Sequence, residues 1–311
     1  MVELLAQEIR RHGDAFRILP IERLADLKKD IGDFQKDANL NGFQKYITNS
    51  LYRFELPAAE FVTRSIIIIA APTPAYAKVI FDWRGHKIAA LSLARSDMGK
   101  KAAPAATKQY LTRLLKPAGY HIQAAPQLPL KRLAVRSGLA LYGRNNISYV
   151  AGMGSFFTLV SYFSDIPCTE DSWHEIRSLE QCQKCTACLH NCPTGAIAAE
   201  RFLIDNERCL SYFNEGPGDF PEWLPDSAHH CLYDCLMCQN ICPQNKDHLN
   251  HVIGPLEFNE TETGLLLSGK TMKEFPAALQ KKVIFLGMDS WLGAIPRNMR
   301  VLFEKAARAQ A

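Results

Sequence analysis

The chain has 311 residues, with 22% charged, 47% hydrophobic and a formal net charge of +4. Such a composition belongs to one large domain or two smaller ones with a substantial core. It excludes a disordered or collagen-like chain, and so mild a basic excess does not by itself call for nucleic acid. Apolar runs such as 66–71 have strand length, far short of a membrane span, and Arg10-Arg11 is followed by no apolar stretch of the kind a twin-arginine export signal needs. The expectation is a cytoplasmic protein without a membrane span.

In chain order, Val2, Leu5 and Ile9 mark an amphipathic opening helix over 2–12, and Leu24, Leu27 and Ile31 repeat at helical spacing over 21–34. The run 64–72, rich in isoleucine and ended by proline, predicts a buried strand. Residues 78–83 and 86–91 flank Arg84-Gly85 as a hairpin. The small, basic stretch 97–107 reads as a mobile loop or a loop entering a helix, with helix over 107–115, a break at Gly119 and a strand over 120–125. A short helix over 130–139 leads to Tyr142-Gly143-Arg144-Asn145-Asn146, and strands follow over 147–150 and 156–163. That polar turn is either a tight loop in its own right or the lining of a cofactor pocket. Beyond Pro243 the pattern is helical, at 275–286 and 299–307. The fold class expected is α+β: an α/β domain over 1–167, a ferredoxin-like double-cluster domain over 168–250, and a helical extension over 251–311.

The ten cysteines concentrate between Cys182 and Cys242. Cys182, Cys185, Cys188 and Cys192-Pro193 follow the Cys-x2-Cys-x2-Cys-x3-Cys-Pro spacing of bacterial two-cluster ferredoxins. Cys235, Cys238 and Cys242-Pro243 repeat its ending without the first cysteine, which Cys209 is placed to supply from a separate loop. In such ferredoxins the fourth cysteine crosses to the other cluster. The assignment is therefore Cys182, Cys185, Cys188 and Cys242 on one [4Fe-4S] cluster, and Cys192, Cys209, Cys235 and Cys238 on the second. Zinc needs only four ligands and has no use for three cysteines in one short run followed by Cys-Pro, twice; a disulfide framework fits less well still. Cys231, four residues before Cys235, is the rival ligand, and Cys168 reads as a structural thiol. Thr186, Thr194 and the backbone at Gly195 are candidates for hydrogen bonding around the cluster sulfurs.

Ala134-Val-Arg-Ser-Gly138-Leu-Ala-Leu-Tyr142-Gly143-Arg144-Asn145 resembles the Ala-Gly-Leu-Gly-Trp-x-Gly-Lys-Asn segment of the epoxyqueuosine reductases, cobalamin-dependent iron–sulfur proteins akin to the reductive dehalogenases. Gly154-Ser155-Phe-Phe, Phe163-Ser-Asp-Ile-Pro167 and the cysteine runs follow in that family's order, so the resemblance covers about 130–250. It implies a base-off cobalamin at Gly143, Arg144, Asn145, Asn146, Gly154 and Ser155, reduced by a nearby cluster, with Tyr142 and Arg144 as the nearest polar groups for proton donation or substrate anchoring. It also implies an external donor of the ferredoxin or flavodoxin type. Two departures stand against the family pattern. Gln123-Ala-Ala-Pro126 occupies the place of an Asp-Ser-Ala-Pro motif whose aspartate is the catalytic acid, and a glutamine cannot deliver a proton in that way. The short stretch after Cys242 also has no room for the family's helical-repeat tail. Transfer RNA is on that ground disfavoured, and the expected function is corrinoid-dependent reduction of another substrate, a small molecule or a corrinoid protein. The alternatives are an electron carrier that reduces a corrinoid or redox partner, and a true epoxyqueuosine reductase acting on transfer RNA.

Overall fold

The structure is a computed structural model and describes residues 1–56, 58, 60–93 and 103–310. In chain order its elements are α1 (Val2–Arg11), β1 (Ala15–Pro20), α2 (Arg23–Gln35), α3 (Gly42–Tyr46), β2 (Ser65–Pro72), β3 (Tyr76–Trp83) and β4 (His86–Leu93). Next come α4 (Ala103–Leu115), β5 (Ile122–Ala124), α5 (Leu130–Arg136), β6 (Leu141–Tyr142), β7 (Ser148–Tyr149) and β8 (Phe157–Ser164). The remainder is α6 (Ala187–His190), α7 (Leu210–Glu215), α8 (Met237–Asn240), β9 (Val252–Phe258), α9 (Glu260–Leu267), α10 (Ala277–Leu286) and α11 (Ile295–Gln310). The expected loop at 97–107 falls partly outside the described residues; from Ala103 onward it is the start of α4.

The chain divides into two compact units, residues 1–73 with 101–185, and residues 74–100 with 186–311. In the first, β1-β2-β8-β5 form one sheet with every pairing antiparallel. Alternation along β2 explains why its run is apolar throughout. Ile66, Ile68 and Ala70 pack with Leu24, Leu27, Leu133 and Phe163. Ile67, Ile69 and Ala71 pack with Leu5, Ile9, Leu111 and Tyr162. Helices cover both faces, so neither set of side chains can be polar. Val2, expected with Leu5 and Ile9, is 40% exposed, because α1 buries a narrower stripe.

The second unit holds the sheet β4-β3-β9. Arg84 (φ 49) and Gly85 (φ 77) make the predicted hairpin turn, in the left-handed conformation that such turns need. The parallel partner β9 was not legible as a strand, because Gly254-Pro255 reads as a turn. It is an edge strand, where a proline's missing N–H costs no ladder bond. Ala77, Val79 and Phe81 of β3 share one core with Leu232 and Tyr233 and with Leu279, Val283, Met299 and Phe303 of α10 and α11. The partition thus differs from the sequence boundaries: the hairpin 76–93 and the stretch 251–310 share a core with the segment 186–250.

Candidate functional site

The residues between Cys168 and Cys182 are largely irregular and strapped to the rest of the first unit by charge. Arg23 pairs with Asp171 and Asp26, and Arg136 and Arg132 pair with Asp30 at 2.6 and 3.0 Å. Trp173 lies beneath the guanidinium groups of Arg23 and Arg136, at 5.5 and 5.4 Å from its ring centre. Backbone bonds continue the strap: the His174 N–H donates to Arg136, the Tyr142 N–H to Arg177 (3.0 Å), and the Leu179 N–H to Tyr142 (2.8 Å). Cys182 and Cys185 follow directly and close this unit.

The Gly143–Asn146 turn joins β6 to β7 and is built by internal bonds. The Gly143 N–H donates to Ile147 (2.7 Å) and the Asn146 N–H to Gly143 (3.0 Å). Asn145, buried, donates through Nδ2 to the Tyr149 hydroxyl at 3.0 Å and accepts the Ile147 N–H at 3.3 Å. Asn146 (φ 57) accepts from Lys131 Nζ through its carbonyl at 2.8 Å. A Cβ on Gly143 would stand 2.5 Å from the Tyr149 ring, so glycine is required by packing. Arg144 reaches back to the cysteine run: Nε donates to the Cys185 carbonyl at 3.1 Å, and Nη2 donates to the Cys182 carbonyl. Tyr142 is buried in β6, hydrogen-bonded to Arg132, and its phenol is pushed up to about 12, chiefly by burial. Gly154 (φ 59) accepts the Val150 N–H, and Ser155 follows it, half-buried.

In the second unit the two cysteine repeats take the same local form. A single helical turn begins two residues after Cys185 and again two residues after Cys235, as α6 and α8. Asn191 Nδ2 donates to the Met237 carbonyl at 2.8 Å, stitching one repeat to the other. The backbone on either side of Cys235 is left-handed at Asp234 (φ 59) and Leu236 (φ 57). Two non-glycine residues in that region are a local cost, of the kind that persists where a side chain has to be aimed. Arg208, beside Cys209, donates to the Thr194 carbonyl at 3.3 Å and stacks on Trp223 at 4.7 Å. The Thr194 hydroxyl lies 3.7 Å from Cys192 Sγ, Gly195 turns the chain at φ 66, and Thr186 precedes α6 as its N-cap.

None of the ten cysteines is joined in a disulfide. Cys235 is pushed up to about 12, first by burial and then, against the Met237 N–H, by the nearby Cys209 and Cys192. Cys209 is raised by burial and by Cys192. Among the described residues no three His, Cys, Asp or Glu side chains converge as on a single metal ion. Cys209 and Cys235 are nonetheless each raised by burial and by Cys192, and such thiols resist joint ionisation unless a cation shares the space, which an iron–sulfur core supplies. The donor set therefore fits a cluster. Cys188 and Cys242, assigned to the first cluster, also lie in this unit. Cys231 is occupied otherwise: its thiol donates to the Asp234 carbonyl at 3.1 Å and accepts from Asn214 Nδ2 at 3.6 Å. Cys168, half-buried, donates to the Glu170 carbonyl at 3.1 Å.

Several supporting residues escaped the sequence. Asn298 donates to the carbonyls of Asn214 (2.7 Å) and Leu232 (2.9 Å), fixing both flanks of the Cys209–Cys235 stretch from α11. Arg297 holds the Phe213 carbonyl at 2.5 Å and lies over Phe220. In the first unit, β5 pairs Gln123 with Phe163, which places Gln123 on the sheet face of the Tyr142 core. Gln123 borders a cavity of about 350 Å³ with His121, Phe61 and Lys116. Asp165 accepts from the His121 backbone N–H and faces its Nδ1, both at 2.8 Å. A larger cavity, about 740 Å³, is lined by Trp83, His86, Arg300 and Phe303 in the second unit, away from the cysteines.

Residues 181–245 match the 4Fe-4S double cluster binding domain family. Over 126 residues the chain is 39% identical to the epoxyqueuosine reductase of Escherichia coli (strain K12), covering 40% of this chain and 32% of that one. The chain thus spans about a third of the length of the first curated relatives it matches. Among solved structures, the epoxyqueuosine reductase of Bacillus subtilis, with its catalytic loop swung out of the active site, superposes with a TM-score of 0.63 at 20% identity, over 97% of this chain and 80% of that one. An epoxyqueuosine reductase with an epoxyqueuosine-modified transfer RNA stem loop gives 0.64 at 19% identity, over 97% and 81%. By the matched cluster domain, the sequence likeness and the shared fold, the chain carries a double 4Fe-4S cluster domain and resembles the epoxyqueuosine reductases in sequence and in fold.

Proposed function

We propose that this chain is an epoxyqueuosine reductase, acting on the modified nucleoside within transfer RNA with electrons delivered through its two clusters. The observation that carries this reading is one chain uniting both likenesses: the double-cluster segment matches by sequence, and the fold extends the match over 97% of the residues. The expectation that transfer RNA is disfavoured gives way here. It rested on a missing tail, and a protein of this fold holds a transfer RNA stem loop.

Removing an epoxide oxygen as water consumes two electrons and two protons. The clusters, held by the eight assigned cysteines, supply one-electron transfer at potentials set by charge, hydrogen bonds and exposure. The protons are for this chain's own residues to supply. Tyr142, raised to about 12, keeps its proton at neutral pH and is a weak acid. Gln123 carries none to give. His121 borders the same cavity as Gln123 and is oriented by Asp165, which makes it the better-placed acid.

Cobalamin belongs to this reading by resemblance. The side chains at its implied site are spent internally, Arg144 on cysteine carbonyls and Asn145 on Tyr149, so they select no particular ring. Incubating the anaerobic protein with cobalamin, a low-potential reductant and epoxyqueuosine-containing transfer RNA tests the proposal. The expected product is queuosine, lighter by one oxygen; no product with both clusters reduced and corrinoid retained would remove the reading. A second reading, reduction of a different substrate, is favoured by Gln123 in place of a carboxylic acid, and the same assay decides between the two.

A further inference from the structure

The Gly-Arg-Asn-Asn turn is closed by its own hydrogen bonds, and the geometry points to a role for its arginine outside the turn. We propose that Arg144 is a positioning residue for the first cluster: it clamps the Cys182–Cys185 loop and fixes a positive charge beside the iron–sulfur core, holding that cluster's reduction potential up. The inference rests on the two-cluster reading and on bonds within one unit of the chain.

The guanidinium donates from two different nitrogens, Nε to the Cys185 carbonyl at 3.1 Å and Nη2 to the Cys182 carbonyl, so it spans the loop between two assigned ligands. A planar fork does this; the single ammonium of a lysine cannot reproduce both bonds. The base of the fork is rigid. Its turn is closed by the Gly143–Ile147 and Asn146–Gly143 bonds and by Asn145 on Tyr149. The adjacent Tyr142 backbone is bonded on both sides to the strap leading into Cys182, through Arg177 and Leu179. The arginine and the two cysteines are thereby held in one frame by contacts on both sides of the turn.

The charge then has a direction of effect. Reducing a cluster adds negative charge, and a guanidinium cation bonded to the backbone carbonyls of two ligands stabilises the reduced state. Removing it should make the first cluster harder to reduce. The two bonds of Arg144 go to ligands of the first cluster, so the cluster held by Cys192, Cys209, Cys235 and Cys238 serves as an internal reference.

The test is an EPR-monitored redox titration of the full-length, anaerobically reconstituted protein with iron counted, for wild type, Arg144→Gln and Arg144→Lys. The wild type is expected to hold about eight iron atoms and to show two midpoints. Arg144→Gln should move one midpoint to lower potential and leave the other in place, while Arg144→Lys, which keeps the charge, moves it less. With iron retained, unchanged midpoints in Arg144→Gln, an equal shift of both, or a lysine variant shifted as far as glutamine would each overturn the proposal. If Arg144→Gln loads only half the iron, half loading in Arg144→Lys as well supports the two-point clamp, while full recovery in Arg144→Lys, which restores the charge without the fork, overturns it. A wild type holding about four irons or none removes the two-cluster reading, and this proposal with it.

Discussion

At the residue scale, the turn that carries the resemblance is explained by the contacts it makes. Gly143 has no room for a methyl group, with Tyr149 Cε2 at 2.5 Å and Asn145 Oδ1 at 2.6 Å from where a Cβ would stand. Gly143→Ala should therefore destabilise the protein by about 1–3 kcal/mol, as overpacking does, measured by urea denaturation of the metal-free chain. Asp30 gives a pH signature. Burial alone would raise its carboxyl, but the hydrogen bonds and charges of Arg136 and Arg132 outweigh that and hold it below the usual carboxylate range. A depressed carboxyl contributes stability that is present above its unfolded value and lost as pH falls through the folded one. Asp30→Asn should cost about 2 kcal/mol at pH 7, less than a fully buried pair because the amide still accepts a bond, and the gap from wild type should close below about pH 4. A gap independent of pH would show that the loss is one of packing.

At the scale of elements, α11 supports the cluster segment rather than standing apart as an extension. Asn298→Ala removes two buried hydrogen bonds, to Asn214 and to Leu232, and leaves both carbonyls without that donor. It should lower stability by about 1–3 kcal/mol and reduce the iron retained after gel filtration, while an exposed change on the same helix, such as Glu304→Gln, should do neither. The sequence could not show this, because a lone asparagine in an amphipathic helix has no pattern that announces a distant carbonyl. The same limit hid β9, whose Gly254-Pro255 pair satisfies the rules for a turn and is tolerated only because the strand lies at an edge. Elements whose signal is local were legible: the doubly buried β2, the Arg84-Gly85 hairpin, and the helices α1, α2 and α4, each set by its own apolar period.

At the scale of the molecule, the cysteine spacing pointed to the two clusters that the matched double-cluster domain supports, since two repeats ending in Cys-Pro leave little else for the thiols to do. Which units the chain would form was less legible, for it depends on β3 meeting β9 across some 170 intervening residues, a pairing of high sequence separation that no window can contain. The most direct measurement is an iron and sulfide count on anaerobically reconstituted protein, made on wild type, Cys209→Ser and Cys231→Ser. The account predicts about eight of each for wild type and for Cys231→Ser, whose thiol is already bonded to the Asp234 carbonyl and Asn214, and a loss of about half in Cys209→Ser. About four irons in the wild type, or a loss in Cys231→Ser that Cys209→Ser does not share, would contradict it.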